Sequence, residues 1–211
     1  MRAVLVTVLA TLAACGTPAS DQALIGTWKR VRDDASLRDQ YTFRRDGTFA
    51  FDEFKPTEPA SEDHLAGTYQ ASDRTVTADV SDPKDARPVR LTFSYFVNTG
   101  SFSPAALRPT GTHEGIVGVW EGIAKIEHLD QPGSVPDGSS LVQAFRADGT
   151  FTTTSSAHDG SAPKIAEGTY LETSPGLFSA TAVTDTGTSV VTLQMLDGVA
   201  LVSPDRIWTR E

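Results

Sequence analysis

The sequence predicts an all-β protein built as two tandem small antiparallel up-and-down β-barrels. Three observations carry this reading. Short segments alternate apolar and polar residues with period two, and turn signals recur every eight to twelve residues or so. One hairpin is written twice: Tyr41-Thr-Phe43-Arg-Arg-Asp46-Gly47-Thr-Phe49-Ala-Phe51, then Gln143-Ala-Phe145-Arg-Ala-Asp148-Gly149-Thr-Phe151-Thr-Thr153. Amphipathic runs of helical length are scarce, whereas Thr, Ser, Gly and Pro are plentiful. Two β-sandwich halves packed as one unit satisfy the same pattern and remain the alternative.

The first copy opens at Leu24-Ile-Gly26-Thr-Trp28 and runs on to Val31. A polar loop is expected over 33–39. The hairpin follows, with Tyr41 and Phe43 on one face, Asp46-Gly47 at the turn, and Phe49 and Phe51 returning on one face. A Pro/Glu-rich loop over 55–63 leads to strands at 65–71 and 75–80. The cleanest alternation is Val89-Arg-Leu91-Thr-Phe93-Ser-Tyr95-Phe-Val97, turned by Asn98-Thr99-Gly100 into a short strand at 101–103. Ala105 to Arg108 is expected to close this unit.

The second copy retraces the path. Gly118-Val-Trp120 matches Gly26-Thr-Trp28, Gly168-Thr-Tyr170 matches Gly67-Thr-Tyr69, and Asp197-Gly198 stands where Asn98-Thr99-Gly100 stood. The offset is 92 positions from Trp28 to Trp120 and 102 from Asp46 to Asp148. The inserted residues are placed in a long loop over 127–140. The expected units are residues 24–110 and 115–211.

The N-terminus reads as an export signal. Met1-Arg2 is followed by an apolar run, Ala3 to Ala14, too short to span a bilayer. The run ends in Leu12-Ala13-Ala14-Cys15-Gly16, which resembles the bacterial lipobox. That resemblance implies removal of residues 1–14, lipidation (palmitate among the acyl chains) at Cys15, a tether over 15–23, and an exported protein anchored to a bacterial membrane through its N-terminal lipid. Gly16 favours the outer membrane by analogy with lipoprotein sorting. Cys15 is the only cysteine, so no intramolecular disulfide is available, and lipidation accounts for an odd cysteine in an exported chain.

At Gly-x-Trp, the aromatic Asp-Gly-Thr-Phe hairpin and Gly-Thr-Tyr, each copy resembles the bacterial lipocalin-like domains found in envelope lipoproteins. The resemblance implies a calycin-like barrel with a tryptophan plugging one end and an arginine packed over it. Trp28 would pair with Arg108, and Trp120 with Arg206 or Arg210. It also implies a small hydrophobic ligand. Phe43, Phe49 and Tyr69 in the first unit, and Phe145, Phe151 and Tyr170 in the second, are candidates for ligand contact or filled core. These units are much shorter than transport lipocalins, so their strands must be short and their interiors close to filled. If one barrel is hollow, the second is the better candidate, since Phe51 there becomes Thr153. A filled pair of barrels points instead to a non-catalytic structural or inhibitor-like role against another envelope protein.

A net charge of −9 argues against nucleic acid, because phosphate binding needs a positive footprint. His64, His113, His128 and His158 fall in expected loops without zinc spacing, so no metal is expected. No nucleophile elbow or phosphate-binding glycine loop is present, and neither a cofactor nor enzymatic activity is expected.

Overall fold

The computed structural model describes residues 22–31, 38–54, 63–81, 87–184 and 187–210. Cys15 and the signal segment lie outside the described residues, as does most of the 55–63 loop.

The chain is all-β and barrel-forming. The first seven strands are β1 (Gly26–Val31), β2 (Arg38–Phe43), β3 (Thr48–Phe54), β4 (Asp63–Ser72), β5 (Thr75–Ser81), β6 (Pro88–Val97) and β7 (Ser101–Pro104). A two-residue strand, β8 (Arg108–Pro109), precedes the second set. That set is β9 (Gly118–His128), β10 (Asp137–Phe145), β11 (Thr150–Ala157), β12 (Lys164–Ser174), β13 (Leu177–Thr184), β14 (Gly187–Leu196) and β15 (Ala200–Val202). A 3-10 turn, Pro204–Arg206, leads into β16 (Trp208–Arg210).

Consecutive strands pair antiparallel, as an up-and-down order requires. The hairpin turns explain themselves chemically. The Asp46 carboxylate accepts hydrogen bonds from the Thr48 amide (2.9 Å) and hydroxyl (2.7 Å), and Asp148 does the same with Thr150 (2.9 and 2.6 Å). Gly47 and Gly149 take the positive φ that closes each turn, at 83° and 82°. The glycine of Gly-Thr-Tyr has a packing reason. A Cβ on Gly67 would stand 1.9 Å from the Asp79 carbonyl oxygen, and one on Gly168 2.0 Å from that of Thr181.

Closure is where the structure departs from expectation. The first ring is β1 to β7 plus β16, the last strand of the chain. Trp28 pairs with Arg210 on one side of β16, and Trp208 pairs with Phe102 on the other. The second ring is β9 to β15 plus β8. There Arg108 pairs with Glu121 and Pro109 with Trp120, and a single bridge, Leu107 with Leu201, completes the circuit. Each ring takes its last strand from the other half of the chain. Ala105–Arg108 therefore does not close its own unit, and the 24–110 and 115–211 segments are exchanged at their ends. The reason is geometric: the connections after β7 and β15 leave each ring through its edge, and the nearest open edge belongs to the neighbour.

The rings are also joined side by side. The first half of β6 pairs with the second half of β9, Val89 with His128 through Phe93 with Ala124. Outer-face residues Phe96, Ala106, Ala200 and Val202 form a small core between the rings. The 127–140 segment is mostly strand rather than loop, because β9 extends to His128 to make this seam and β10 begins at Asp137. His64 lies in β4, not a loop, and hydrogen-bonds Asp52 across β3 at 2.5 Å. His128 ends β9.

Trp208 is 4 % exposed and packs against Phe102 and Tyr41 of the first ring. Trp208→Ala should therefore destabilise the first-ring core by about 3–5 kcal/mol, despite its position near the C-terminus. Urea unfolding followed by Trp28 fluorescence measures this. An unchanged midpoint would mean that the first ring closes without β16.

Candidate functional site

Cross-strand partners share a face of the sheet, so the register identifies the inward rows. In the first ring one row runs Trp28, Tyr41, Phe51, Leu65. The matching row of the second ring runs Trp120, Gln143, Thr153, Ala166. One step toward the turns lie the aromatic pairs Phe43–Phe49 (5.1 Å) and Phe145–Phe151 (5.4 Å). One step the other way, the first ring places the charged row Arg30, Asp39, Glu53, where the second has Gly122, Leu141, Ser155.

The plugs are built alike. Trp28 and Trp120 are both fully buried, and each indole N–H donates to a carbonyl four residues earlier, Leu24 and Ile116, at 2.8 Å. The partners over them differ from expectation. Arg210, not Arg108, lies over Trp28, with its guanidinium carbon 5.4 Å from the ring centroid and a nitrogen donating to Ile25 O at 2.5 Å. Trp120 is covered by His113, at 5.0 Å. The glycines of Gly-x-Trp make room for these covers: a Cβ on Gly26 would meet Arg210 Nε at 3.2 Å, and one on Gly118 would meet the His113 Cβ at 2.8 Å. Arg108 instead donates to Tyr95 O at 3.2 Å, and burial lowers its pKa. Arg206 lies on the 3-10 turn. His113 was invisible in sequence because its partner is chosen by the exchange of strands, not by the repeat.

The largest opening is a chamber of about 1720 Å³. It exceeds the roughly 300–1,000 Å³ of ordinary small-molecule pockets. Its floor in the first ring is Tyr41, Phe51, Leu65, Leu91 and Phe93. It runs past Ala124 and Ile126 at the β6–β9 seam to Val190–Thr192 of β14, under the segment from Ser203 to Trp208. Of the six aromatic candidates, Phe43, Phe49, Tyr69, Phe145 and Phe151 are buried core. Tyr170 is partly exposed, and its hydroxyl donates to Arg146 O at 2.6 Å, as Tyr69 does to Arg44 O at 3.2 Å. None of the six lines the chamber.

Arg30 and Asp39 were missed, although alternation puts Arg30 on the face of Trp28 and Asp39 on that of Tyr41. They form an ion pair at the chamber wall, with side chains 13 % and 4 % exposed. The guanidinium also donates to the Asp205 carbonyl and lies 4.5 Å over the Trp208 ring. The Tyr41 hydroxyl titrates well above its ordinary value, chiefly because burial penalises the phenolate and secondarily because Asp39 is negative; Arg30 and Arg206 oppose the shift. The chamber wall is therefore neutral in sum, with its one buried charge pair satisfied internally.

Among the described residues no group of three or more His, Cys, Asp and Glu is placed to hold a metal ion. The His64–Asp52 pair sits on the outer face, with no hydroxyl hydrogen-bonded to the ring among the described residues. Comparison with family models, with curated proteins and with solved structures finds no match for this chain.

The Tyr41 shift makes a pH prediction. Below the ordinary value of 10.0 both folded and unfolded chains hold the phenol proton, and the stabilisation is complete. Above it the unfolded chain releases a proton that the folded chain retains, so stability falls as pH rises toward the folded pKa. Tyr41→Phe should flatten this alkaline limb of unfolding free energy by the one-proton component. An alkaline limb identical in wild type and variant would refute the assignment.

Proposed function

We propose that this protein is a membrane-anchored envelope lipoprotein of two duplicated lipocalin-like units, which binds a small hydrophobic molecule and performs no chemistry on it. The observation that carries the reading is the chamber: Tyr41, Phe51, Leu65, Leu91 and Phe93 offer an apolar surface at the mouth of a barrel, and the Arg30–Asp39 charges beside it are already paired. Apolar surface without free charge favours an uncharged or weakly amphiphilic body over an ion. The recurrence of plug, turn and Gly-Thr-Tyr contacts in both halves supports the duplication. The lipobox-like Leu12-Ala13-Ala14-Cys15 supports the anchor.

A second reading has its own observation. Ile165, Val183 and Val190 are each about two-thirds exposed, at 66 %, 65 % and 65 %, on the outer face of β12 to β14. That surface suits contact with another envelope protein in a non-catalytic role.

Two measurements test the primary reading. The neutral fluorophore N-phenyl-1-naphthylamine should bind saturably, and Val191→Trp should weaken it by about tenfold, because Val191 is a chamber residue exposed enough (41 %) to accept a larger side chain. Absence of saturable binding, or equal affinity in the variant, counts against the chamber. Intact mass spectrometry of membrane-extracted protein should give a chain beginning at acylated Cys15, and Cys15→Ser should release it to the soluble fraction. Any other mature N-terminus would eliminate the lipid anchor.

A further inference from the structure

We propose that Gln143 and Thr153 form a second, separate binding site inside the second ring, for a small neutral molecule carrying a hydrogen-bonding head such as a carboxamide or hydroxyl on a short apolar body. The two residues are direct cross-strand partners on the inward face. Gln143 is 8 % exposed, yet its side-chain carbonyl has no hydrogen-bond partner, and neither has the Thr153 hydroxyl. Buried polar groups in a folded protein are normally satisfied, so two orphaned acceptors side by side call for a partner from outside the chain.

The first ring shows what this row holds when it serves only packing. Tyr41, Phe51 and Leu65 occupy it there, and the second ring has Gln143, Thr153 and Ala166 at the matching register. Volume has been removed and polarity introduced on the same backbone. The floor beneath is the stacked Phe145–Phe151 pair, and Ala180 and Leu193 form part of the opposite wall. The space above communicates with solvent: Val191 faces inward, paired with Ala180, and is still 41 % exposed. Charge is excluded at this depth. The charged inward positions of β10 and β12, Asp137 and Lys164, are both exposed at the rim. A buried ligand charge would find no counterion beside Gln143. An amide or hydroxyl head can both donate and accept, which matches a carboxamide side chain next to a hydroxyl.

The site is independent of the chamber at the first ring, and the test separates them. The full mature chain carrying Cys15→Ser is titrated with hexanamide, 1-hexanol and hexanoate at neutral pH. The side-chain amide resonances of Gln143 are followed, assigned by their loss in Gln143→Met. Hexanamide and hexanol should shift these resonances saturably, and hexanoate should bind at least about tenfold more weakly. Thr153→Val, nearly the same shape as threonine, should weaken hexanamide by about tenfold while N-phenyl-1-naphthylamine binds as before. Gln143→Met should abolish the hexanamide response seen at the Trp120 indole and raise the thermal midpoint of the free protein, since an orphaned polar group is removed. The proposal is overturned if neither neutral probe moves Gln143, if hexanoate binds as well as hexanamide, or if Thr153→Val leaves hexanamide affinity unchanged. Loss of naphthylamine binding with hexanamide binding retained would overturn the chamber reading alone.

Discussion

The structure depends on ring closure by a strand from the other half of the chain. A β-sheet edge carries unpaired N–H and C=O groups, and a small barrel is stable because closure leaves none inside the circuit. In the first ring, β1 and β7 do not meet. The gap between them is filled by β16, whose Trp208 and Arg210 pair to Phe102 and Trp28. In the second, β8 spans from β9 toward β15. Neither ring is complete without the residues of its neighbour, so the two are coupled covalently and through the hydrogen-bond ladder. The outer-face cluster around Phe96 and Val202 adds apolar burial to the same junction. Folding of one ring thus contributes to the stability of the other, and a long-range pairing such as Trp28 with Arg210 must form late or slowly, because its loop closure spans most of the chain.

Around that frame the two interiors have different chemistry. Both keep the plug tryptophan, the aromatic pair at the Asp-Gly hairpin, and the tyrosine whose hydroxyl caps that hairpin. They diverge in the next inward rows. The first ring stacks aromatic rings there and then a charged row, Arg30, Asp39 and Glu53, which faces the chamber. The second has small and neutral polar residues in both rows. Shared contacts near the plug maintain the fold, and the rows farther from it are where side chains were free to change. The β6–β9 seam carries the chamber from one ring to the flank of the other, so the linking of the barrels also creates its volume.

Much of this was legible in the residues. Alternation identified the strands and the inward faces, and Asp46-Gly47 and Asp148-Gly149 marked turns whose carboxylates bond the following threonine as turn chemistry requires. The contrast of Phe51 with Thr153 was visible as a difference between copies. Less legible were the contacts that depend on distant partners. Arg108 was expected over Trp28 because it ends the first copy, yet Arg210 is there. His113 over Trp120 had no sequence signal beyond its closeness to the glycine that accommodates it. The inserted segment before Phe145 looked like a loop by its glycines and prolines, and most of it is strand because β6 offered an edge to pair with.

The sequence by itself determined the class of fold, the hairpins, the plug tryptophans and which side chains face inward, because those follow from local periodicity and turn preferences. The tertiary structure alone decided which strand closes which ring, which cation covers which indole, and where the chamber opens. The physical reason is that a strand's inward face is encoded in its own side chains, whereas its hydrogen-bonding edge is the same for every strand. Partner choice at an edge is settled by what stands beside it in space.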